Sequence, residues 1–200
     1  MKGKFPALLC AVILTIVADS AYAVVSDPAA MQVQTLTDSL LKSMRAGAAE
    51  SMTERCRNLE SVIEQAFALP LVTRLSVGPE WASFSPDQQT ALITAFTRFT
   101  VANYAHNFRN FDGEKFEIDD VSSRGAEKIV RTRIIPAHDS PASLLYRMHE
   151  VDGIWKILDV ISDGVSELAL HRTDFSAAIA AGGAPALIAY LNKASDGLMK

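Results

Sequence analysis

The chain has too few cysteines for a disulfide framework or a thiolate zinc site. Its 200 residues contain two, Cys10 and Cys56. Cys10 lies in an N-terminal segment that we expect to be removed, as argued below, so Cys56 is left without a partner in the same chain. Either kind of cross-link needs at least a second thiol. We therefore interpret Cys56 as a small apolar side chain of the core.

Motifs that bind metals, nucleotides or reactive substrates are also missing. The four histidines stand at spacings that match no metal-binding motif, and there is no H-E-x-x-H sequence. A G-x-S-x-G nucleophile elbow, a phosphate-binding loop and a dinucleotide glycine fingerprint are all absent. We therefore predict no catalytic residue, no metal and no cofactor. The histidines interpreted as surface or core residues are His106, His138, His149 and His171.

The first 23 residues have the pattern of a secretory signal peptide. Lys2 and Lys4 precede an apolar run from Phe5 to Val17, and Ala21-Tyr22-Ala23 supplies the small residues of a cleavage site. A membrane span needs about 20 apolar residues, and Asp19 interrupts this run early. We expect cleavage after Ala23 and export to the periplasm. No later apolar stretch looks long enough to cross a membrane.

The remaining residues, 24–200, are predicted to form a single soluble domain. They are numerous enough to bury a hydrophobic core. The formal net charge of the whole chain is -4, and its lysines and arginines form no cluster. This balance argues against nucleic acid and anionic lipid headgroups as partners of the surface. Nothing in the sequence requires oligomerisation, so we expect a monomer.

Apolar residues recur at helical spacing in the first half of the chain. Asp27-Pro28 resembles an N-cap followed by proline at the first helical position. Ser85 and Gln88 stand at the capping-box spacing. The predicted helices run from Pro28 to Gly47, Met52 to Leu69, Leu71 to Val77, and Pro86 to about Asn110. In the last helix the predicted buried stripe is Leu92, Ala95, Phe96, Phe99, Asn103 and Phe108.

The period changes from helical to alternating after residue 113. Asp152-Gly153 separates the last two strand candidates and is the strongest hairpin signal, because a type I′ turn needs positive φ at both central residues. The four predicted strands are Lys115–Val121, Lys128–Pro136, Ser143–Val151 and Ile154–Ile161. Two further helices, Glu167–Ala181 and Pro185–Ala194, follow them. The order of elements predicts an α+β fold with a four-stranded antiparallel sheet.

Several motifs in order along the chain resemble one family. Trp155-Lys156-Ile157-Leu158-Asp159-Val160, followed by Asp163-Gly164-Val165-Ser166 and then Arg172 and Phe175, is similar to the signature of the MlaC-like periplasmic phospholipid-binding proteins, also called the toluene-tolerance family. Val77-Gly78-Pro79-Glu80-Trp81 resembles the family's Leu-Gly-x-x-Trp. The similarity spans about residues 31–192. Leu170-His171 stands where the phospholipid branch usually has Asn-Tyr, and the segment is more similar to the hopanoid-associated HpnM branch.

The resemblance implies a periplasmic lipid carrier that encloses a phospholipid or a hopanoid. It implies a curved sheet with helices packed around it, as in the nuclear-transport-factor-like cone, and an apolar cavity. It also implies transient contact with lipid-transfer complexes at the inner and outer membranes. The candidate cavity-lining residues are Phe67, Leu71, Leu75, Phe96, Phe99, Tyr104, Leu144, Tyr146, Trp155 and Ile157. For each, plain core packing is an equally good interpretation.

Two other functions remain open at this point. A small-substrate enzyme of the isomerase or dehydratase type would place a buried acid or base deep in the cavity, and His149 and Asp159 are the available candidates. A protein-binding adaptor would fill its cavity with aromatic side chains and expose an apolar patch. Asp159, Gly164 and Arg172 match family signature positions, and we interpret them as supports of the turn from strand to helix. Arg172 is expected to pair with a nearby aspartate.

Overall fold

The computed structural model describes residues 26–200, so the predicted signal peptide lies outside the described residues. Four helices come first. Asp27 caps the first of them by accepting a hydrogen bond from the backbone N–H of Ala29 at 2.9 Å, as predicted. The helices are α1 (Pro28–Ala46), α2 (Met52–Ala66), α3 (Leu69–Val77) and α4 (Pro86–Asn107), with short 3-10 segments at Gly47–Ala49 and Gly78–Ser83.

The capping box predicted at the start of α4 is present. Ser85 Oγ accepts from the backbone N–H of Gln88, and the Gln88 side chain accepts from the backbone N–H of Ser85. The buried stripe predicted for α4 is only partly right. Leu92, Ala95 and Phe96 are buried, but further along the helix Thr100, Tyr104 and their neighbours take the buried positions, while Phe99, Asn103 and Phe108 are half-exposed. The stripe shifts because α4 packs against several other helices rather than one surface.

The link between α2 and α3 is attached to the sheet. Helix α2 ends at Ala66, earlier than predicted, because Pro70 begins the next helix instead of ending this one. Phe67 forms a parallel bridge with Ile157, and the backbone N–H of Ala68 donates to the Ile157 carbonyl at 2.9 Å. The link therefore fixes one edge of the helical layer to the sheet.

The sheet is antiparallel and curved, and its strands lie in chain order. The strands are β1 (Lys115–Arg124), β2 (Glu127–Ile135), β3 (Ala142–Val151), β4 (Ile154–Ser162) and β5 (Val165–Ser166). The hairpin predicted between β3 and β4 is confirmed, with φ of 51° at Asp152 and 80° at Gly153. The α+β class and the first four strands are therefore as predicted.

The predicted number of strands, four, was wrong. Asp163-Gly164 has φ values of 48° and 86°, the same combination as the preceding hairpin, and it turns the chain back onto β4 instead of directly into a helix. Ser162 pairs with Val165, and Ile161 with Ser166. A strand of two residues is too short to show an alternating pattern, so periodicity could not identify it.

Strand β4 contains a bulge at Leu158. Met148 pairs with Ile157 and Arg147 pairs with Asp159, so Leu158 has no partner on β3. A bulge breaks the alternation of faces. As a result Ile157, Leu158, Asp159 and Val160 are all buried.

The final helix, α5 (Glu167–Leu198), is broken at Gly182 and Gly183, where the backbone is not helical. The two predicted helices are thus present, and the second extends past Ala194. By length and composition α5 is also apolar enough to cross a membrane, the one such helix within the described part of the chain, which the sequence analysis did not anticipate. Phe175, Leu187 and Leu191 are nevertheless buried in the core, so α5 serves here as a packed helix.

A buried arginine joins α1 to α2. Arg55 is 2% exposed, and its guanidinium donates to the Ser43 carbonyl, to Ser43 Oγ at 2.7 Å and to the Gly47 carbonyl at 2.6 Å. Glu50 lies 3.4 Å from the same group. Carbonyls at the C-terminus of a helix lack intrahelical donors. Arg55 therefore supplies the donors that the end of α1 needs, a role that the sequence analysis did not identify.

The first and last described elements are both tied to the interior. Asp27 accepts a hydrogen bond from Lys128 Nζ at 2.6 Å, and the same ammonium lies 4.8 Å from the ring centre of Trp155. At the other end, Cys56 Sγ lies 3.2 Å from Met199 Sδ. Cys56 is half-buried against the core, consistent with its predicted role as an apolar side chain.

Candidate functional site

A small, partly enclosed void lies between the sheet and helices α3, α4 and α5. Its volume is about 20 Å³, room for roughly one water molecule. Its apolar walls come from all four elements and from the link before α3, and include Phe67, Leu69, Val72, Phe96, Leu158 and Val160. The helices thus lie almost directly on the sheet.

An open groove of about 450 Å³ adjoins this void. It runs between the start of α3, helix α4 and the β3–β4 hairpin, and its walls include Pro70, Leu71 and Ile93. Phe67 and Leu69 line both the groove and the void. These two side chains therefore form the partition between the groove and the void, and we call the open space the hairpin groove.

Two other depressions are present in the described part of the chain. The largest, about 640 Å³, lies between α2 and α4 and is bordered by charged side chains that include Arg57, Glu60 and Arg98. The other, about 490 Å³, lies beside Leu75, Trp81 and Arg172. Ligand sites for apolar molecules are lined mainly by apolar and aromatic groups. The hairpin groove also has charged side chains, Glu64, Asp152 and Lys156, so it differs from the larger cleft chiefly because it adjoins the void between the sheet and the helices.

The predicted cavity residues do not all meet at one place. Phe67 and Phe96 line the void, Leu71 lines the hairpin groove, and Leu75 lies beside Arg172. The buried core contains Tyr104, Tyr146 and Ile157, and partly buried positions against it are held by Phe99, Leu144 and Trp155.

Asp159 is engaged in holding the turn from β4 into α5. Its carboxylate accepts from Ser166 Oγ at 2.7 Å and from the backbone N–H of Leu168 at 3.0 Å. An acidic side chain at a helix N-terminus satisfies otherwise unpaired donors and interacts well with the helix dipole. The structural role proposed for Asp159 in the sequence analysis is consistent with these contacts, which occupy both of its oxygens.

The hydrogen-bond partner of Arg172 differs from the one predicted. It was expected to pair with an aspartate, but its Nε donates to the Leu75 carbonyl at 2.8 Å, at the end of α3. The arginine therefore joins α5 to α3 through a backbone acceptor. His149, the other candidate acid or base, is not among the residues that line the void, so it is not placed opposite Asp159 there.

Two titratable residues at the void were not anticipated as site residues. Glu167 and His171 are four residues apart on α5, which places them on the same face of the helix. Burial raises the pKa of Glu167 to about 7, and the nearby Asp159 charge adds to this effect. Burial also lowers the pKa of His171, against the opposing charges of Asp174 and Asp159. The only sequence signal was their i, i+4 spacing beside Asp159.

We expect the substitution Glu167→Gln to flatten the pH dependence of stability between about pH 4.5 and pH 7. Glu167 has an ordinary pKa of 4.5 in the unfolded chain and about 7 in the folded protein. The folded state therefore binds more protons than the unfolded chain between these two pH values. As the pH rises, ionisation of Glu167 lowers the free energy of unfolding, by on the order of 3 kcal/mol above pH 7.

Urea unfolding at pH 5 and pH 8 measures this effect. The variant should be close to the natural protein in stability at pH 5 and clearly more stable at pH 8. Glu60→Gln, at an exposed carboxylate, is the matched control and should show no such difference. An equal change at both pH values for Glu167→Gln would contradict the prediction.

Comparisons with known proteins agree with the fold. The phospholipid-binding protein from Ralstonia solanacearum, solved in complex with a phospholipid, matches with a TM-score of 0.76 at 19% sequence identity, covering 87% of this chain and 100% of that chain. At this identity the likeness shows the fold alone. No curated protein matches the chain. A family model described as MlaC protein matches residues 34–193, most of the chain, and the chain therefore belongs to the MlaC family.

Proposed function

We propose that this protein is a periplasmic lipid carrier that takes up its cargo through the hairpin groove. The observation that carries the proposal is the partition of Phe67 and Leu69, which separates a groove of about 450 Å³, lined in part by Pro70, Leu71 and Ile93, from the space between sheet and helices. Membership of the MlaC family and the phospholipid-binding structural neighbour support the same function.

A carrier of this kind works by burial rather than by chemistry. Moving a lipid through water exposes apolar surface at a cost of roughly 25 cal/mol per Å², and enclosing the tails removes that cost. The interior void, at about 20 Å³, is far below the several hundred Å³ typical of ligand sites. The helical layer therefore has to move away from the sheet when a tail enters. The position of the groove indicates the side from which the tail would enter.

Cargo enclosed in this way would contact the sheet and the helices that cover it. We propose that Phe67, Leu71 and Phe96 meet the lipid first, since they line the groove and the void. Buried Tyr104, Tyr146 and Ile157 would become part of the cavity once the layers separate. In this open form the sheet and helices would have a shape more similar to the cone of the nuclear-transport-factor-like fold.

The cargo and the route remain part of the proposal. A phospholipid is supported by the structural neighbour, whereas a hopanoid is supported by the HpnM-like sequence around Leu170-His171. We propose that the signal peptide is removed after Ala23 and that the mature protein, residues 24–200, acts as a monomer. It would receive the lipid from one membrane complex and deliver it to another.

Native mass spectrometry of the mature protein, purified from a host that makes phospholipids and hopanoids, tests the proposal. We expect one bound lipid per chain, which extraction would then identify. A protein that is isolated without lipid, and that also fails to take up lipid from phosphatidylcholine vesicles, would contradict the carrier function.

The substitution Leu71→Asp tests the route, with the uptake of lipid from vesicles as the measurement. A carboxylate in the hairpin groove has to lose its water when a tail lies against it, and an unpaired buried charge is costly. We expect uptake of vesicle lipid to fall by at least about tenfold, equivalent to 1.4 kcal/mol. Tyr190→Asp, at an exposed aromatic side chain of α5, is the matched control. Equal uptake by both variants would show that lipid does not pass this groove.

A further inference from the structure

The depression at the end of α3, about 490 Å³, differs in charge from the other two openings described above. Its lining residues include Arg74 and Arg172 but no acidic side chain. The hairpin groove contains Glu64 and Asp152, and the cleft between α2 and α4 contains Glu60 and Glu64. Of these three openings, this one alone offers positive charge without a carboxylate, and we call it the arginine depression.

Neither arginine of this depression is neutralised by a carboxylate within residues 26–200. Arg74 on α3 and Arg172 on α5 are both exposed, and Arg172 Nε donates to the Leu75 carbonyl at 2.8 Å, which holds its guanidinium against the end of α3. The ion pairs in this part of the chain are formed by other cations, namely Arg55, Arg98, Lys128, Arg133 and Arg147. Glu80, close to Gly78, is in none of these pairs. An anion in the depression would therefore gain charge-assisted hydrogen bonds that no protein group already supplies.

The packing of α5 against α3 brings the two arginines together. Arg74 and Arg172 are separated by nearly half of the chain, so the sequence shows no cluster of cations. The depression is therefore a candidate site for an anionic lipid headgroup, although the overall charge argued against such a partner.

The arginine depression also lies next to the space proposed for the lipid tail. Val72 and His171 line the void, while Leu75, one turn further along α3, and Arg172, the neighbour of His171, line the depression. Trp81 adds an aromatic wall. A free anion would gain nothing from these apolar walls, whereas a lipid would contact them with the part of the molecule next to its charged group.

The hairpin groove is less favourable for an anionic group. The groove lies at the start of α3 and the depression at its end, so a lipid tail beneath this helix has its polar group at one end or the other. The cation that lines the groove is Lys156, whose Nζ donates to the Glu64 carbonyl at 3.0 Å. The carboxylates of Glu64 and Asp152 oppose its charge, so an anion would bind more tightly at the depression.

We propose that the arginine depression binds the phosphate group of a lipid whose tail lies beneath α3, with Arg74 and Arg172 as donors. This inference rests on the proposed carrier function and adds the chemical class of its cargo, a lipid with a phosphate headgroup. A guanidinium presents a planar pair of N–H donors that matches two phosphate oxygens. A lipid with only hydroxyl groups or hydrocarbon at its polar end would gain nothing from the two charges.

Competition binding with matched lipids tests the inference. The mature protein is loaded with diphenylhexatriene, an uncharged hydrocarbon fluorophore, which is then displaced by dilauroyl-phosphatidylglycerol or by dilauroylglycerol, which has the same tails but no phosphate. An exposed arginine should contribute about threefold, so we expect the phosphate lipid to bind about tenfold more tightly. The preference should fall about threefold in Arg74→Gln and stay unchanged in Arg131→Gln, which alters an exposed arginine of β2 outside the depression.

Inorganic phosphate distinguishes the two sources of a phosphate group. An excess of the free ion should remove the preference between the two lipids and leave displacement by dilauroylglycerol unchanged, because the ion competes only at the arginines. Calorimetric binding of inorganic phosphate that is lost in Arg74→Gln, with no preference between the lipids, would overturn the lipid headgroup and assign the depression to the free ion.

The outcomes also separate this inference from the carrier function. If both lipids displace the fluorophore equally well and inorganic phosphate does not bind, the phosphate site is overturned and the carrier function stands. If neither lipid displaces the fluorophore, both fail. A preference that is the same in Arg74→Gln as in the natural protein would also overturn the site. Arg74 is exposed, so this variant should fold and give a reading even if Arg172→Gln does not.

Discussion

Replacing Arg55 with methionine is expected to lower the free energy of unfolding by about 3 to 5 kcal/mol. The guanidinium is buried and supplies donors to the carbonyls of Ser43 and Gly47 and to Ser43 Oγ. Methionine fills similar space but donates nothing, so the two Ser43 oxygens would lose this donor, the Gly47 carbonyl would keep only the N–H of Glu50, and the Glu50 carboxylate would keep only the amide of Asn58. For a protein of this size the melting temperature should fall by on the order of 10 °C.

Chemical denaturation of Arg55→Met beside Arg57→Met measures this loss. Arg57 lies two residues along the same helix but is exposed, so its substitution should change stability by less than about 0.5 kcal/mol. A loss below about 1 kcal/mol in Arg55→Met would mean that water replaces the guanidinium at the end of α1, and the proposed structural role would be wrong.

Replacing Asp159 with alanine is expected to cost about 3 kcal/mol. The substitution leaves the Ser166 hydroxyl and the backbone N–H of Leu168 without their acceptor at the start of α5. Asn in the same position keeps one acceptor oxygen without the charge, so Asp159→Asn should lose only about half as much. Because Asp159 also raises the pKa of Glu167, both variants should bring that pKa down.

Urea unfolding followed by circular dichroism compares the two variants with Asp174→Ala. Asp174 is an exposed residue of the same helix, so its loss should have little effect. Equal losses for Asp159→Ala and Asp159→Asn would show that charge, and not the pair of hydrogen bonds, supports this turn.

The parts of the fold that were predictable are those with strong local signals. Asp152-Gly153 and the Ser85–Gln88 capping box fix backbone geometry through residues adjacent in the chain, and both are present. Strand β5 was missed because two residues cannot show a period. The buried stripe of α4 was partly wrong because its packing partners come from several distant segments, which no local pattern contains.

The site was harder to predict than the fold for a related reason. Apolar residues at helical or strand spacing are buried in either case, so Phe96 at the void and Ile157 in the plain core look alike in sequence. The bulge at Leu158 removes the alternation that would otherwise have assigned the faces of β4. Glu167 was missed because nothing in its immediate sequence indicates burial. Its surroundings are produced by α4 and the sheet.

Helix α3 has little stability of its own. It is nine residues long, and no side chain caps its N-terminus. Isolated helices of that length are marginal in water, so α3 depends on its neighbours, including the Arg172 contact with the Leu75 carbonyl near its end. Its buried side chains, Leu69, Val72, Thr73, Ser76 and Val77, supply the packing that holds it in place. The part of the wall between the groove and the void therefore owes its helical form to contacts with the rest of the fold and not to its own helix propensity.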